Sequence, residues 1–114
     1  MFPNYKPYIP KSVRELIDLV GSAVLLSPTF EDKTGYFQGR NIDTEFLAIE
    51  EGLNNVKAKL GHDIYTELYN MSAQMRAYFE ADLEDKTGDA IKGRNIALDM
   101  IDILKSGKSD EYWD

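Results

Sequence analysis

The chain has 114 residues, 43% of them hydrophobic and 29% charged, which fits one globular domain over residues 1–114. It contains no Cys and a single His, so neither a disulfide framework nor a Cys- or His-cluster metal centre can form. The formal charge of −7 repels nucleic-acid backbones and anionic lipid surfaces and suits a basic protein partner instead.

The N-terminal segment is rich in proline and tyrosine and lacks the continuous apolar stretch of a signal peptide. We expect residues 1–11 to form an arm ahead of the first helix. The longest apolar run, residues 23–26, is far too short to cross a bilayer. The sequence therefore predicts a cytoplasmic protein without a membrane partner.

The first helix is predicted from about residue 13 to residue 26, where apolar residues recur at helical spacing. Ser12, with Glu15 three residues later, has the pattern of a capping box at its start. The helix should end at Ser27, because Pro28 disfavours a helical conformation in the residue before it.

Three further amphipathic stripes follow. The second helix is predicted over residues 42–60 and ends at Gly61, and Asp63 is expected to cap a third helix that reaches about residue 82. The fourth is predicted over about residues 90–105, before an acidic tail at 107–114. No segment after the first ten residues alternates like a strand, so we predict an all-α fold with four main helices.

The most specific feature of the sequence is a repeat of two short blocks. Residues 31–35 and 84–88 both read Glu-Asp-Lys-Thr-Gly, and residues 39–42 and 93–96 both read Gly-Arg-Asn-Ile. The first blocks are offset by 53 residues and the second by 54. We expect the copies to belong to two pseudo-symmetric helical hairpins that together form a four-helix bundle.

The Asp-Lys-Thr-Gly string also surrounds the phosphorylated aspartate of P-type ATPases. Phosphoryl transfer there requires a buried parallel strand before the aspartate and further acidic residues for magnesium, and no strand is predicted here. A turn is favoured, in which Asp and Thr accept backbone N–H groups, glycine adopts a positive φ, and an Asn or Asp begins the next helix. Arg40 and Arg94 follow the acidic pairs, and each is expected to fork onto a carboxylate and join the ends of its loop in preference to contacting a partner.

Carboxylates are concentrated around the two copies of the repeat. They are Glu31, Asp32, Asp43, Glu45, Glu50 and Glu51 in the first region and Glu80, Asp82, Glu84, Asp85 and Asp89 in the second. If the two loops are adjacent, these groups form a negative surface that speeds association with a basic partner. Tyr36 lies among them and resembles an interface anchor. For Phe37, a contact that anchors the loop to the core is at least as well supported as exposure at an interface. The predicted partner-binding residues are Glu31, Asp32, Tyr36, Asp43, Glu50 and Asp85.

No catalytic set is recognisable in the sequence. His62 is expected to cap a helix or face solvent, because no Ser or Cys nucleophile stands in a motif near it. The pair Glu50-Glu51 fits a solvated helix face better than a general acid/base pair, and the helical Glu-x-x-His di-iron motif is missing. We therefore predict a protein that is not an enzyme and holds no metal or cofactor.

A further pattern is formed by residues 30–37, 39–40, 43–46, 51–53, 75–77, 79–82 and 84–88. These strings resemble one family of contact-dependent growth inhibition immunity proteins, and the resemblance spans about residues 30–106. It implies a bacterial cytoplasmic protein that binds the C-terminal toxin domain of a neighbouring cell's surface effector and blocks its active site. Toxins paired with such proteins are often nucleases, including ribonucleases, whose binding faces are basic. The resemblance transfers no site residues.

Two functions remain open at this point. One is an immunity protein that acts as a monomer in a one-to-one complex with its toxin. The other is a helical adaptor or regulatory subunit that binds a protein partner without inhibiting an enzyme. Gene context separates them, because an immunity protein should be encoded directly downstream of its toxin.

Overall fold

Four helices make up most of the chain in the computed structural model, which describes residues 6–31 and 39–107. The helices are α1 (Val13–Leu26), α2 (Ile42–Leu60), α3 (His62–Ala81) and α4 (Asp89–Gly107). None of the described residues lies in a strand. The predicted all-α fold with four main helices in a bundle is confirmed.

Helix α1 begins at Ser12, whose Oγ accepts the backbone N–H of Glu15 at 3.1 Å. This is the first half of the predicted capping box. The second half differs, because the Glu15 carboxylate accepts the N–H of Lys11 at 2.8 Å and the hydroxyl of Tyr8 at 3.0 Å. Glu15 therefore ties the chain ahead of α1 to the helix.

Helix α2 has a complete capping box. The Asn41 side chain accepts the N–H of Thr44, and the Thr44 hydroxyl accepts the N–H of Asn41, both at 3.0 Å. Gly61 ends the helix with a φ of 86°, a left-handed conformation that glycine adopts without a Cβ clash. The predicted capping role of Asp63 is wrong, because α3 begins at His62, directly after Gly61, and its start has no side-chain cap.

Each helix packs against the next in the chain, and α4 returns to α1, so the four form a closed ring around one core. Neighbouring helices are antiparallel. At one end of α2, Asp43 contacts Arg76 of α3, and towards the other end Asn54 contacts Tyr65. The α1–α2 and α3–α4 connections consequently lie at one end of the bundle, and the Gly61 junction lies at the other.

Three phenylalanines fill the core near the end that carries the two connections. The ring centroid of Phe30 lies 5.9 Å from that of Phe46 and 5.5 Å from that of Phe79, both in edge-to-face geometry. Phe79 also fits closely against α4, where a Cβ on Gly93 would lie 2.5 Å from its ring. Gly93 is therefore required for close packing of α3 on α4.

The chain ahead of α1 packs between α1 and α2, the least closely packed neighbours in the ring. Pro10 is buried against Gly52, where an added Cβ would lie 3.1 Å from the proline ring. Asn55 Nδ2 donates to the Pro10 carbonyl at 2.9 Å. The described part of the N-terminal arm, residues 6–11, is thus fixed to both helices and fills the gap between them.

The two copies of the repeat differ in their second block. Of the first blocks, Glu31 and residues 84–88 lie in helix connections at the same end of the bundle, and residues 32–35 lie outside the described residues. Residues 39–42 lead into α2, with Asn41 as its N-cap, whereas residues 93–96 lie inside α4. The second blocks are therefore not in equivalent positions.

Candidate functional site

The end of the bundle that carries both connections presents a group of carboxylates that we call the acidic end. It comprises Glu31, Asp43, Glu80, Glu84, Asp85 and Asp89. Three of the predicted partner-binding residues, Glu31, Asp43 and Asp85, belong to it. The structure thereby brings together groups that are far apart in the sequence.

Asp82 organises the α3–α4 connection from inside. Its side chain is 3% exposed and accepts the backbone N–H groups of Lys86 at 2.7 Å, Thr87 at 3.1 Å and Ala90 at 3.0 Å. The hydrogen bond from Ala90, with further bonds from Lys86 and Thr87, lowers the pKa of Asp82 to about 2. The predicted place of Asp82 on the negative surface is wrong, because this buried carboxylate stabilises the α3–α4 connection and the first turn of α4.

Arg94 joins the two connections to each other. Its Nη2 donates to Asp85 Oδ2 at 2.7 Å, and its Nε donates to Ser27 Oγ, at the end of α1, at 2.9 Å. Asp85 itself adopts a φ of 57°. The arginine thus reaches the carboxylate of its own loop and also crosses to the other connection, a second role that the repeat did not indicate.

Arg40 forms an ion pair with Glu45, which follows it in the first turn of α2. Its Nε and Nη2 donate to Glu45 Oε1 at 3.2 and 3.1 Å, and Ser22 Oγ of α1 lies 2.9 Å from Glu45 Oε2. Glu45 is only 2% exposed. Its predicted place on the negative surface is therefore wrong, since it links the start of α2 to α1.

Arg76 connects α2 to α3 at the acidic end. It binds Asp43 of α2 and donates from Nε to Glu80 Oε2 at 3.0 Å. Its guanidinium carbon also lies 5.7 Å from the centroid of the Phe46 ring. The sequence pattern gave no indication of this bridge, because Arg76 lies outside both copies of the repeat.

Most carboxylates of the acidic end have a cation within reach among the described residues. Besides the pairs made by Arg76 and Arg94, Glu84 pairs with Lys86 at 3.1 Å and Asp89 with Lys92 at 3.7 Å. Glu31 is exposed and makes no ion pair with any of them. The surface is consequently less negative than its carboxylates alone suggest, although the side chain of Asp43 remains 75% exposed.

The remaining predicted site residues lie elsewhere. Glu50 is half-buried on α2, two helical turns beyond Asp43. Asp32 and Tyr36 lie outside the described residues, as does Phe37. A cleft of about 520 Å³ beside the arm has a mixed lining, which includes Tyr8, Asp18 and Arg40.

No helix in residues 6–31 and 39–107 is long and apolar enough to cross a membrane. In the same ranges, no three His, Asp or Glu side chains are placed to share a metal ion. No protein-family model matches the chain, and neither a curated protein nor a solved structure shows significant similarity to it.

Proposed function

We propose that the chain is an immunity protein that binds the C-terminal toxin domain of a contact-dependent growth inhibition effector in the bacterial cytoplasm and blocks it. The toxin would be a basic nuclease, such as a ribonuclease, held in a one-to-one complex. The observation that carries the proposal is that Glu31 and the acidic block 84–88 lie at one end of the bundle, with Glu31 and Asp85 at its surface. The net charge of −7 supports the same kind of partner.

In this proposal the toxin is inhibited by occlusion. A nuclease cleft that binds phosphates is basic, and exposed carboxylates such as Asp43 and Glu84 would attract it and cover it. The ion pairs that these groups already make are exposed, so each contributes little to stability and can exchange one cation for another. The inhibitor needs no chemistry of its own.

The experiment is co-expression with the toxin domain encoded directly upstream of the chain. Wild-type protein should restore growth, and purified protein at an equimolar ratio should abolish the cleavage of nucleic acid by the toxin. Failure to form a complex would overturn the proposal. A complex that leaves cleavage intact would also overturn it and would favour the helical adaptor.

A further inference from the structure

A second surface runs along the outer junction of α2 and α3. We call its facing residues the α2–α3 seam: Asp43, Leu47, Glu50 and Asn54 on α2, and Tyr65, Tyr69, Ser72 and Arg76 on α3. Two contacts fix its register: Arg76 binds Asp43 near the acidic end, and the Tyr65 hydroxyl donates to Asn54 Oδ1 at 2.6 Å. On both helices these contacts are about three turns apart. Residues between them therefore face one another across the seam.

Two large side chains are exposed in the middle of the seam. Leu47 is 50% exposed and Tyr69 is 40% exposed. The ring centroid of Tyr69 lies 5.9 Å from that of Tyr65, and the ammonium of Lys57 lies 4.7 Å from the Tyr65 centroid. Tyr69 is thus held in place by a second aromatic ring and still presents surface to solvent, which is typical of an interface anchor.

Two carboxylates lie beside these side chains. Glu50 and Glu51 follow Leu47 at the i+3 and i+4 positions and make no ion pair with any described residue. At the acidic end, by contrast, Asp85 and Asp43 are already paired with arginines. Around the seam, an exposed apolar centre is therefore combined with carboxylates that pair with no cation in the described part of the chain.

We infer that the α2–α3 seam is the anchoring site for the partner, and that the partner presents arginine side chains there. This inference rests on the proposed function for the identity of the partner as a basic protein. A guanidinium can stack on the Tyr69 ring and fork onto the Glu50 carboxylate, while its aliphatic stem packs against Leu47. Lysine offers no planar fork, so the seam favours arginine over lysine.

The test uses two synthetic peptides of equal charge, hexa-arginine and hexa-lysine, added to the ¹⁵N-labelled full chain at low salt. Hexa-arginine should shift the amide signals of Leu47, Glu50 and Tyr69 and bind about two- to fivefold more tightly than hexa-lysine, because only arginine gains the stacked contact. Equal affinities, or shifts confined to the acidic end, would overturn the inference.

Two variants and one control sharpen the result. Glu50→Gln and Tyr69→Leu should each reduce the preference for hexa-arginine, the first by removing the carboxylate and the second by removing the ring at similar bulk. Glu67→Gln removes an exposed carboxylate from α3, outside the contacts of the seam, and should keep the preference. If Glu67→Gln lowers it as much as Glu50→Gln does, net charge alone explains the binding and the inference fails.

The outcomes for the seam and for the toxin are separable. The peptide titration contains no toxin, so a chain that fails to protect cells can still show the arginine preference at the seam. Conversely, a chain that protects cells but binds both peptides equally retains the proposed function and loses this anchoring site.

Discussion

Three polar side chains are buried among the described residues, and they differ in how their hydrogen bonds are satisfied. Asp82 has three backbone donors, and Glu45 has Arg40 and Ser22. Ser72 Oγ, on α3, has no hydrogen-bond partner among the described residues. Since an unsatisfied buried polar group costs free energy and a satisfied one does not, these three positions should respond differently to substitution.

Asp82 should make stability depend on pH. Its pKa is about 2 in the folded chain, against an ordinary value of 3.8. A lowered folded-state pKa stabilises the fold above the unfolded-state value, so the free energy of unfolding should fall as pH drops from about 4 to about 2. Urea denaturation across this range measures the slope.

The substitution Asp82→Asn should destabilise the chain at neutral pH. It should also remove the contribution of Asp82 to the pH dependence of the free energy of unfolding. Asp102→Asn, at an exposed position on α4, serves as the control and should keep the wild-type slope. The same slope in Asp82→Asn and in the wild type would contradict the assignment.

Arg40 and Arg94 should both stabilise the fold, but by different amounts of free energy. Arg40→Ala and Arg94→Ala are expected to lower the free energy of unfolding by about 1–3 kcal/mol, because each loses a charged hydrogen bond. The larger loss should follow Arg40→Ala, since Glu45 is buried, whereas the side chain of Asp85 is 42% exposed and screened by solvent. An unchanged melting temperature in both variants would contradict a stabilising role for Arg40 and Arg94.

Ser72→Ala should stabilise the chain. The substitution removes a buried hydroxyl without a partner and adds the strongest helix former, so we expect a gain of about 1 kcal/mol. The control is the same substitution at Ser22, whose hydroxyl bonds within α1 and to Glu45, and it should lower stability instead. Chemical denaturation of both variants measures the opposite signs.

At the scale of elements, the close packing of α3 on α4 depends on the absence of a side chain at Gly93. A Cβ there would lie 2.5 Å from Phe79, and the aromatic cluster behind that ring leaves it little room to move. Helices α3 and α4 can therefore pack so closely only with glycine at this position.

Gly93→Ala should cost about 1–3 kcal/mol through overpacking. Gly21→Ala is the matched control, because its Cβ would lie 3.9 Å from Ile101 and helix α1 would gain about 0.5–1 kcal/mol from the higher helix propensity of alanine. Thermal unfolding of the two variants should show shifts of opposite sign. A stabilised Gly93→Ala would show that Phe79 can move aside.

The helices were predictable from the sequence because their signals are local. The apolar period and the neighbouring Ser12 and Pro28 give the observed bounds of α1. The roles of Glu45 and Asp82 were missed for the opposite reason: a run of charges does not show which carboxylate turns inward. Glu45 meets Ser22 from another helix, and no local pattern reports that contact.

At the scale of the whole molecule, the antiparallel ring decides what the candidate site can be. The sequence predicted a shared acidic surface only on the condition that the two interhelical loops are neighbours in the fold. The contact between Arg94 and Ser27 meets that condition. The α2–α3 seam could not be predicted from the sequence. It depends on the register between α2 and α3, which brings Leu47 and Tyr69 onto one surface and is set by tertiary contacts.

The charge of the proposed interface should set the rate of complex formation with the toxin. Reversing Asp32, Asp43 and Glu50 to Lys should slow association, and the wild-type rate should fall as salt rises, because exposed charges are screened over about 10 Å at 0.1 M salt. Stopped-flow mixing measures both effects. Reversal of Asp63, Glu67 and Asp99, which are exposed elsewhere on the bundle, changes the net charge equally and should slow association less.

The link between Arg94 and Ser27 joins residues 67 positions apart in the chain. The turn around Asp82 is local and can form within one hairpin, whereas this link forms only after both hairpins have docked, since distant contacts carry the larger loop-closure cost during folding. The acidic end is therefore complete only in the fully folded chain. A partner that binds there selects finished molecules over nascent or partly unfolded ones, and its binding protects the chain from unfolding by mass action.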